Sequence, residues 1–338
     1  MILVTGGTGF IGSHLLDRLA DAGEPVRALV RPQTARAQSA QPQTARPQTL
    51  RGKTALPHGV EAVSGDLATG EGLTDAARGA DTIIHIAGVL KALTPEDYYR
   101  GNTRATENLA RVAAECGTRF VHVSSLAVCG PSPADGSVNE DSETRPMTHY
   151  GKSKLEAERI LRSLLPQAVI VRPPVVYGPR DTGVFPFLKS IARGVELQIA
   201  GGERWFSAIY VRDLVDGILA ASTSPRAPGR TYFLSHAQPV NWSHLGDATA
   251  RLVGRKRLVL RVPVSAAYGI GYLAELWSAL TRKPGMVSRE KIDEATCARW
   301  VCDSRRAATE LGFEAKTSLD AGLAETLAWY KEAGWVKY

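Results

Sequence analysis

A glycine-rich turn between an apolar run and a helical pattern is the feature that most constrains how this chain can fold. Residues 1–4, Met-Ile-Leu-Val, are typical of a buried parallel strand, and residues 11–19 show the apolar spacing of a helix. Gly6, Gly9 and Gly12 span the join. A strand, a tight turn and a helix N-terminus together form an anion site, because free backbone N–H groups face the ligand. We therefore predict a Rossmann-type dinucleotide site, with a turn that serves only helix–strand packing as the alternative.

Short apolar runs and helical patterns alternate along most of the chain. Further strands are predicted at residues 25–30, 60–67, 81–88, 119–125 and 168–172, and helices at 102–116, 150–165, 213–221 and 319–331. This alternation predicts an α/β fold with a doubly wound parallel sheet. We place the Rossmann domain at residues 1–175, and a smaller, mainly substrate-binding C-terminal lobe at residues 176–338 that returns in part to the sheet. Within this lobe, residues 263–280 are apolar, and we predict a buried core helix there, with a hydrophobic substrate lid as the alternative.

The end of the second strand bears on the choice between the two nicotinamide dinucleotides. A site that prefers NAD normally has Asp or Glu there, to accept a hydrogen bond from the ribose 2′-hydroxyl. Val30 and Arg31 occupy that place in this chain. A cation suits a 2′-phosphate, so we predict that NADP(H) is preferred and that NAD(H) is possible. A solvated surface arginine is the alternative.

The net charge of +7 does not indicate a nucleic-acid partner. Between Pro25 and Val60 there are six Lys and Arg residues and no Asp or Glu, so this segment supplies about all of the excess. A local basic loop is not a basic face. The same segment repeats a Pro-Gln-Thr-Ala/Leu-Arg pattern, which lacks the apolar residues needed to bury a face. We predict a mobile surface insert at residues 32–53.

The rest of the composition is that of a globular protein. The chain is 44% apolar, has no run of transmembrane length and shows no signal peptide before its first strand. Its cysteines have no metal-binding or redox spacing; they are Cys116, Cys129, Cys297 and Cys302. We therefore predict a cytoplasmic protein with reduced thiols, no metal site and no integral membrane segment.

A tyrosine and a lysine four residues apart indicate proton-transfer chemistry. Tyr150 and Lys154 lie on one face of a predicted helix, and Ser124 and Ser125 end the preceding strand. A neighbouring ammonium and the positive nicotinamide ring would lower the pKa of the phenol from its usual value near 10, so that Tyr150 acts as acid or base near neutral pH. A serine hydroxyl would hold the substrate oxygen. A tyrosine–lysine pair also arises by chance in helices, which is the alternative.

These motifs together resemble the extended short-chain dehydrogenase/reductase superfamily, also called the NAD-dependent epimerase/dehydratase family. The resemblance covers nearly the whole chain; its segments are residues 5–12, 65–67, 85–88, 102–109, 121–130, 150–158, 172–179 and 210–214. It implies that Ser125 is the catalytic serine, that Tyr150 is the acid or base, and that Lys154 lowers the pKa of Tyr150 and holds the ribose hydroxyls. It also implies a structural role for Asn102 and a homodimer.

The motifs, together with the resemblance, indicate which residues contact the ligands. The cofactor contacts are Gly6, Gly9, Phe10, Ile11, Gly12, Arg31, Asp66, Leu67, Ala87, Gly88, Lys154, Pro173, Val175 and Val176. The substrate contacts are Val89, Ser124, Cys129, Tyr177 and Phe206. Cys129 replaces a tyrosine that is common at its place in the superfamily.

Two branches of this superfamily differ in their substrates. Enzymes of nucleotide sugars usually carry an Arg-Asp-Phe stretch where this chain has Phe206, Ser207 and Ala208, although Arg204 lies nearby. Residues 283–287 and 303–313 resemble the branch that contains 3β-hydroxysteroid dehydrogenases and dihydroflavonol reductases.

We therefore predict an NADP(H)-dependent oxidoreductase that interconverts a secondary alcohol and a ketone on a steroid-, terpenoid- or flavonoid-like substrate. The alternative is a nucleotide-sugar epimerase or dehydratase with tightly bound NAD. A cofactor-sensing module without activity is a third possibility. The presence of Ser125, Tyr150 and Lys154 together counts against this third possibility.

Overall fold

A parallel sheet forms the centre of the computed structural model, which describes residues 1–31, 56–285 and 287–338. The strands are β1 (Ile2–Thr5), β2 (Val26–Val30), β3 (Glu61–Ser64), β4 (Thr82–His85), β5 (Arg119–Val123), β6 (Val169–Arg172), β7 (Val175–Tyr177), β8 (Val195–Ile199), β9 (Trp205–Phe206), β10 (Ala208–Tyr210), β11 (Thr231–Phe233), β12 (Val240–Asn241), β13 (Leu258–Val262) and β14 (Arg299–Trp300). Seven of them form the main sheet in the order β11-β6-β5-β4-β1-β2-β3, with every neighbouring pair parallel. The predicted α/β fold with a doubly wound sheet is confirmed. The predicted insert at residues 32–53 lies outside the described residues.

The helices connect these strands and cover both faces of the sheet. They are α1 (Phe10–Asp21), α2 (Leu73–Ala77), α3 (Pro95–Tyr98), α4 (Ala105–Cys116), α5 (His149–Leu164), α6 (Phe185–Ala192), α7 (Val211–Thr223), α8 (Trp242–Val253), α9 (Val264–Thr281), α10 (Arg289–Thr296), α11 (Arg305–Leu311) and α12 (Leu319–Glu332).

Neighbouring strand residues supply two separate cores, because successive side chains point to opposite faces of a sheet. Val4 and Ile84 pack with α1 and α7 on one face. Leu3 and Ile83 pack with α2, α4 and α5 on the other face. Both faces are therefore buried, which explains the continuous apolar runs of these strands.

The C-terminal lobe has a core of its own and small sheets. β7 pairs with β10, β8 pairs with β13, and β9 lies between β12 and β14. Its buried cluster includes Leu188, Tyr210, Leu323 and Tyr330. The chain returns to the edge of the main sheet at β11 before it continues into the lobe.

The prediction of a buried core helix at residues 263–280 is wrong. Helix α9 forms there, but Leu273, Trp277 and Leu280 are 65%, 68% and 78% exposed. Only Ala267 and Gly271 are buried. A Cβ at Gly271 would lie 2.5 Å from Ile292 Cδ1, so this narrow side packs against α10. Nothing in the described part of the chain covers the opposite, apolar side.

Candidate active site

The glycine turn lies at the carboxyl edge of the sheet, where it joins β1 to α1. Gly6 has a φ of +76°, and a Cβ there would lie 2.7 Å from the amide nitrogen of Ala87. A Cβ at Gly12 would lie 2.2 Å from the carbonyl oxygen of Gly6. Side chains are therefore excluded at both positions by backbone atoms. No side chain caps the start of α1 at Gly9, and its first turn holds no acidic residue. The turn thus fits the pyrophosphate of a dinucleotide.

The ends of β2 and β3 lie beside this turn. Arg31 follows β2 and is exposed. Asp66 accepts hydrogen bonds from the amides of Ala68, at 2.7 Å, and Thr69, at 3.3 Å, through one carboxylate oxygen. The Leu67 carbonyl accepts a bond from the Asn108 side chain at 2.8 Å. This loop, which carries the predicted cofactor contacts Asp66 and Leu67, is thus held by hydrogen bonds of its own and by Asn108.

The end of β5 and the start of α5 bring the predicted catalytic residues to one cavity. Ser125 is extended, and its Oγ accepts a hydrogen bond from the amide of Ala127 at 3.1 Å. Thr148 caps α5 through the amide of Gly151 at 3.2 Å. A Cβ at Gly151 would lie 2.5 Å from the carbonyl oxygen of Ala127, so a glycine is what allows this close approach. The start of α5, which carries Tyr150, therefore abuts the serine turn.

Lys154 is buried directly behind this turn. Its Nζ donates to the carbonyl oxygen of Val123 at 2.7 Å and lies 3.3 Å from His122 Nε2. Burial lowers the pKa of Lys154 to about 8, although the nearby Glu158 acts in the opposite direction. Because it is buried and has few polar partners, the Lys154 ammonium loses its proton more readily than that of an exposed lysine.

The pKa of Tyr150 is not lowered by these surroundings. Burial raises it to about 12, Glu294 adds to the rise, and the neighbouring Ser125 hydroxyl partly opposes it. The protein groups alone therefore do not produce the lowered pKa that was predicted for Tyr150 beside Lys154 and the nicotinamide ring. The Lys154 ammonium donates to the Val123 carbonyl, and burial deprives the phenolate of water.

Two stacked histidines extend from Lys154 into the sheet, and the sequence analysis did not identify them. His85 and His122 are register partners on β4 and β5, with ring centroids 5.2 Å apart. His85 Nδ1 lies 2.7 Å from Thr5 Oγ1, and its Nε2 lies 3.0 Å from Thr106 Oγ1. Burial lowers the pKa of His85 to about 3 and that of His122 well below its usual value. Both rings are therefore neutral at physiological pH and form an uncharged support for Lys154.

A buried ion pair joins helix α5 to the end of β6. Arg172 Nε and Nη2 donate to Glu158 Oε1 and Oε2 at 3.0 and 2.6 Å. Arg172 Nη1 also lies 3.5 Å from the sulfur of Cys129. Cys129 is buried, and burial raises the pKa of its thiol to about 11. This predicted substrate contact faces the ion pair and does not line the cavity.

Asn102 lies in a π-helical turn, Tyr99–Arg104, where the sequence predicts the start of an α-helix. Its side chain accepts from the amide of Val89 at 2.6 Å and donates to the Val89 carbonyl at 3.1 Å. It also donates to Ser153 Oγ at 2.9 Å. The extra residue of the π turn thus places the Asn102 side chain between the loop after β4 and helix α5. Such π turns often occur at functional sites.

A cavity of about 1010 Å³ joins eleven of the predicted site residues, whereas seven predicted cofactor contacts do not line it: Gly6, Gly9, Gly12, Arg31, Asp66, Leu67 and Ala87. Those that line it are Phe10, Ile11, Gly88, Ser124, Ser125, Tyr150, Lys154, Pro173, Val175, Val176 and Phe206. Of the predicted substrate contacts, Val89, Cys129 and Tyr177 lie away from the cavity wall. Val89 packs against Gly101, and Tyr177 packs against Tyr210 and Gly322.

Polar residues from distant segments also line this cavity. They include Lys91, Asp181, Lys291 and Glu294. Lys291 Nζ lies 2.5 Å from Glu294 Oε2 and 5.8 Å from the centroid of the Tyr150 ring. Burial raises the pKa of Asp181 to about 6. No local motif marks these residues, because the fold alone brings them beside Tyr150.

Arg204 lines the cavity too, and three of its five N–H donors are engaged within its own loop. Nη1 donates to the carbonyl oxygens of Ile199 at 2.6 Å and Gly202 at 3.2 Å. Nη2 donates to the Ala200 carbonyl at 2.8 Å. Its Nε has no hydrogen-bond partner among the described residues, so Nε and the second N–H of Nη2 can still contact a ligand.

Within the described ranges, no helix combines the length and the apolar character that are needed to cross a membrane.

Comparison with known proteins places this site in a family. A ceramide reductase of Caulobacter vibrioides is 30% identical over 336 residues, which cover 99% of this chain and 96% of that protein. A sterol-4-alpha-carboxylate 3-dehydrogenase of Candida albicans is 25% identical over 359 residues, with coverage of 98% and 97%. The crystal structure of a UDP-glucose 4-epimerase from Thermotoga maritima shares the fold, with a TM-score of 0.76, 20% identity and 98% coverage of both chains.

The family model described as the NAD dependent epimerase/dehydratase family matches residues 2–234. This match confirms the resemblance drawn from the motifs, and the sterol dehydrogenase is consistent with the 3β-hydroxysteroid dehydrogenase-like branch. The chain therefore belongs to the NAD-dependent epimerase/dehydratase family, the extended type of short-chain dehydrogenase/reductase, and is an enzyme that acts on CH–OH groups.

Proposed function

We propose that this enzyme is an NADP(H)-dependent oxidoreductase that interconverts a secondary alcohol and a ketone on a hydrophobic substrate. The observation that supports this most is one cavity that runs from Phe10 and Ile11, beside the glycine turn, past Tyr150 to an aromatic wall. That wall includes Phe206 and Trp242, whose rings lie 4.6 Å apart. An apolar substrate would thus have its polar end at Tyr150 and its apolar body in the lobe.

The proposed substrate is steroid-, terpenoid- or flavonoid-like, or another lipid with a ketone near one end. Two of the similar proteins are named for a ceramide and a sterol carboxylate, and both molecules are largely apolar.

Tyr150 acts as a general acid in the reductive direction. Bound NADP(H) supplies or accepts the hydride. Ser125 and Tyr150 hold the substrate oxygen, and the Tyr150 hydroxyl donates its proton to that oxygen as the alcohol forms. With a pKa of about 12, Tyr150 is protonated at neutral pH and ready for this step. Lys154 stabilises the phenolate that is left and would hold the ribose hydroxyls.

Arg31 is proposed to select NADP(H). It is exposed directly after β2, and the preceding Val30 offers no carboxylate to a ribose 2′-hydroxyl. Arg31→Asp should reduce the ratio of kcat/KM for NADPH over NADH at least about tenfold, since hydrogen bonds to charged groups contribute about 1.5–3 kcal/mol. Arg193→Asp, at an exposed position after α6, is the matched control. An unchanged ratio for Arg31→Asp would reject this assignment.

The activity is tested by nicotinamide absorbance with NADPH and a panel of steroid, terpenoid, aromatic and long-chain ketones. Tyr150→Phe should bind NADPH and lose nearly all turnover. Tyr99→Phe removes the same atom from a nearby tyrosine that packs against His149 but does not line the cavity, so it should retain turnover. Full turnover by Tyr150→Phe would contradict the proposed role.

A second candidate function is a nucleotide-sugar epimerase or dehydratase with tightly held NAD. The family to which the chain belongs includes such enzymes by its description, and Arg204 does line the cavity. This candidate predicts NAD that copurifies with the protein and sugar isomerisation without net consumption of the cofactor. Mass spectrometry of the denatured protein, followed by incubation with UDP-glucose, separates the two candidates.

A further inference from the structure

The outer side of helix α9 is an exposed apolar surface with helical spacing. Ile270, Leu273, Trp277 and Leu280 follow one another at intervals of three or four residues and so lie on one face. Their exposed fractions are 54%, 65%, 68% and 78%. We call these four residues the α9 face. A contiguous exposed apolar patch of this kind marks an interaction site in most soluble proteins.

Cations outnumber acids in the chain segment that contains the α9 face. Residues 255–289 contain seven Lys and Arg residues and a single acid, Glu275, which pairs with Arg289 at 2.8 Å. Five of the cations are exposed and form no ion pair with the described residues; they are Arg255, Lys256, Arg261, Arg282 and Lys283. Basic residues are therefore also concentrated outside residues 25–60, the segment to which the sequence assigns about all of the net charge. An anionic partner complements this surface.

The cavity of the active site reaches the protein surface beside the α9 face. The opposite side of the helix lines it through Glu275, Ser278 and Ala279. Leu90 and Leu93 also line the cavity, although they are 64% and 44% exposed. The mouth of the cavity is therefore bordered by exposed apolar side chains and by one helix whose other side is the α9 face.

We propose that the α9 face docks the enzyme on the surface of an anionic lipid bilayer. Apolar side chains with an exposed tryptophan on one face and flanking cations are the features of helices that lie in the membrane interface without crossing it. A second copy of the chain is disfavoured as the partner, because two such faces would bring two sets of five unpaired cations together.

Docking in this orientation would deliver an apolar substrate from the bilayer to the cavity mouth. This part of the inference rests on the proposed function, whereas the docking itself does not. Leu90 and Leu93 would border the path, so the acyl or ring portion of a lipid would pass from the bilayer to Tyr150 with little exposure to water.

The experiment measures binding of the full chain to sedimented vesicles of phosphatidylcholine with about one quarter phosphatidylglycerol. Leu273→Ser combined with Leu280→Ser should weaken binding at least about tenfold, because binding scales with the apolar area that is buried. Leu252→Ser, an exposed leucine on α8, is the matched control and should bind like the wild type. Raising the salt from about 0.1 M to about 0.5 M should also weaken binding. Thermal unfolding and NADPH binding should be unchanged in both variants.

Two results would overturn the proposal. One is a wild-type protein that does not sediment with these vesicles. If the double variant of such a protein is a monomer by sedimentation velocity where the wild type is a dimer, the α9 face binds a second copy of the chain. The other is a double variant that binds as well as Leu252→Ser. Vesicle binding by a wild type that reduces no ketone would support the docking and count against the proposed function, so the two failures are distinguishable.

Discussion

At the residue scale, Lys154 shows how the site retains a charge that the fold disfavours. The side chain is 2% exposed, and its ammonium contacts one carbonyl oxygen and one neutral histidine. Its pKa of about 8 lies below the value of 10.5 in an unfolded chain. Between these two pH values the unfolded chain holds a proton that the folded chain has released, so stability rises with pH in this window. Below pH 8 the buried ammonium therefore costs stability, which its role beside Tyr150 explains.

This shift predicts a pH profile for the reductive reaction. The rate should fall as the pH rises through about 8, because Lys154 then loses the charge that stabilises the Tyr150 phenolate. Steady-state kcat with NADPH between about pH 6 and pH 10 measures this. In Lys154→Arg, any remaining activity should lose the fall near pH 8, since a guanidinium keeps its proton. A wild-type kcat that stays level to pH 10 would contradict the role given to the ammonium.

The Glu158–Arg172 pair predicts a large effect on stability. Glu158 and Arg172 are 4% and 6% exposed, and Glu158→Gln would leave the buried guanidinium without its counter-charge. We expect the free energy of unfolding to fall by about 3–5 kcal/mol, measured by urea denaturation. Glu156→Gln changes an exposed residue of the same helix and should have an effect within about 0.5 kcal/mol. Equal free energies of unfolding for Glu158→Gln and Glu156→Gln would show that the ion pair does not stabilise the fold.

The sequence could predict Ser125, Tyr150 and Lys154 as one group because they lie on consecutive elements with a recognisable spacing. It could not predict Lys291 or Glu294, which follow Tyr150 by more than a hundred residues and reach it only through the packing of α10. The direction of the pKa shift of Tyr150 was also out of reach. It depends on burial, which spacing does not report.

At the element scale, the strand–turn–helix at the N-terminus illustrates a structure that local sequence specifies well. Gly6 and Gly12 meet backbone atoms, so no rearrangement of flexible side chains could make room for a larger residue. The helix that follows has no capping side chain, which leaves its first amides to a ligand.

This geometry predicts that Gly12→Ala reduces the affinity for NADPH at least about tenfold. The added methyl group would meet the Gly6 carbonyl oxygen and displace the turn that faces the pyrophosphate. Quenching of protein fluorescence by NADPH measures the affinity. Gly136→Ala, where the nearest atom to the new methyl group is 3.6 Å away, is the control and should bind normally. Normal binding by Gly12→Ala would contradict the placement of the cofactor.

Helix α9 illustrates the limit of pattern analysis at the same scale. Its apolar residues surround most of the helix, a pattern that fits a buried core helix as well as a surface that meets an apolar partner. Which of these applies depends on what packs around the helix, and within the described residues only the narrow side at Ala267 and Gly271 is covered. The existence of the helix was predictable, whereas its exposure was not.

At the scale of the whole molecule, the active site lies where the sheet meets the C-terminal lobe. The sheet supplies the glycine turn, Ser125 and the α5 residues, and the lobe supplies Phe206, Trp242 and the α9–α10 wall. The recurring strand–helix pattern made the part of the site on the sheet predictable. The part of the site in the lobe depends on short strands of two to five residues, whose pairing partners are far apart in the chain.

The most direct test of the proposed chemistry follows a deuterium from the transferred position of NADPH. A ketone from the absorbance panel is incubated with the enzyme, with UDP-glucose in a parallel reaction, and the released products are analysed by mass spectrometry. The account predicts an alcohol that carries one deuterium for each NADP⁺ formed, and no such product from Tyr150→Phe. An isomerised sugar without deuterium, formed with no net loss of NADPH, would contradict it.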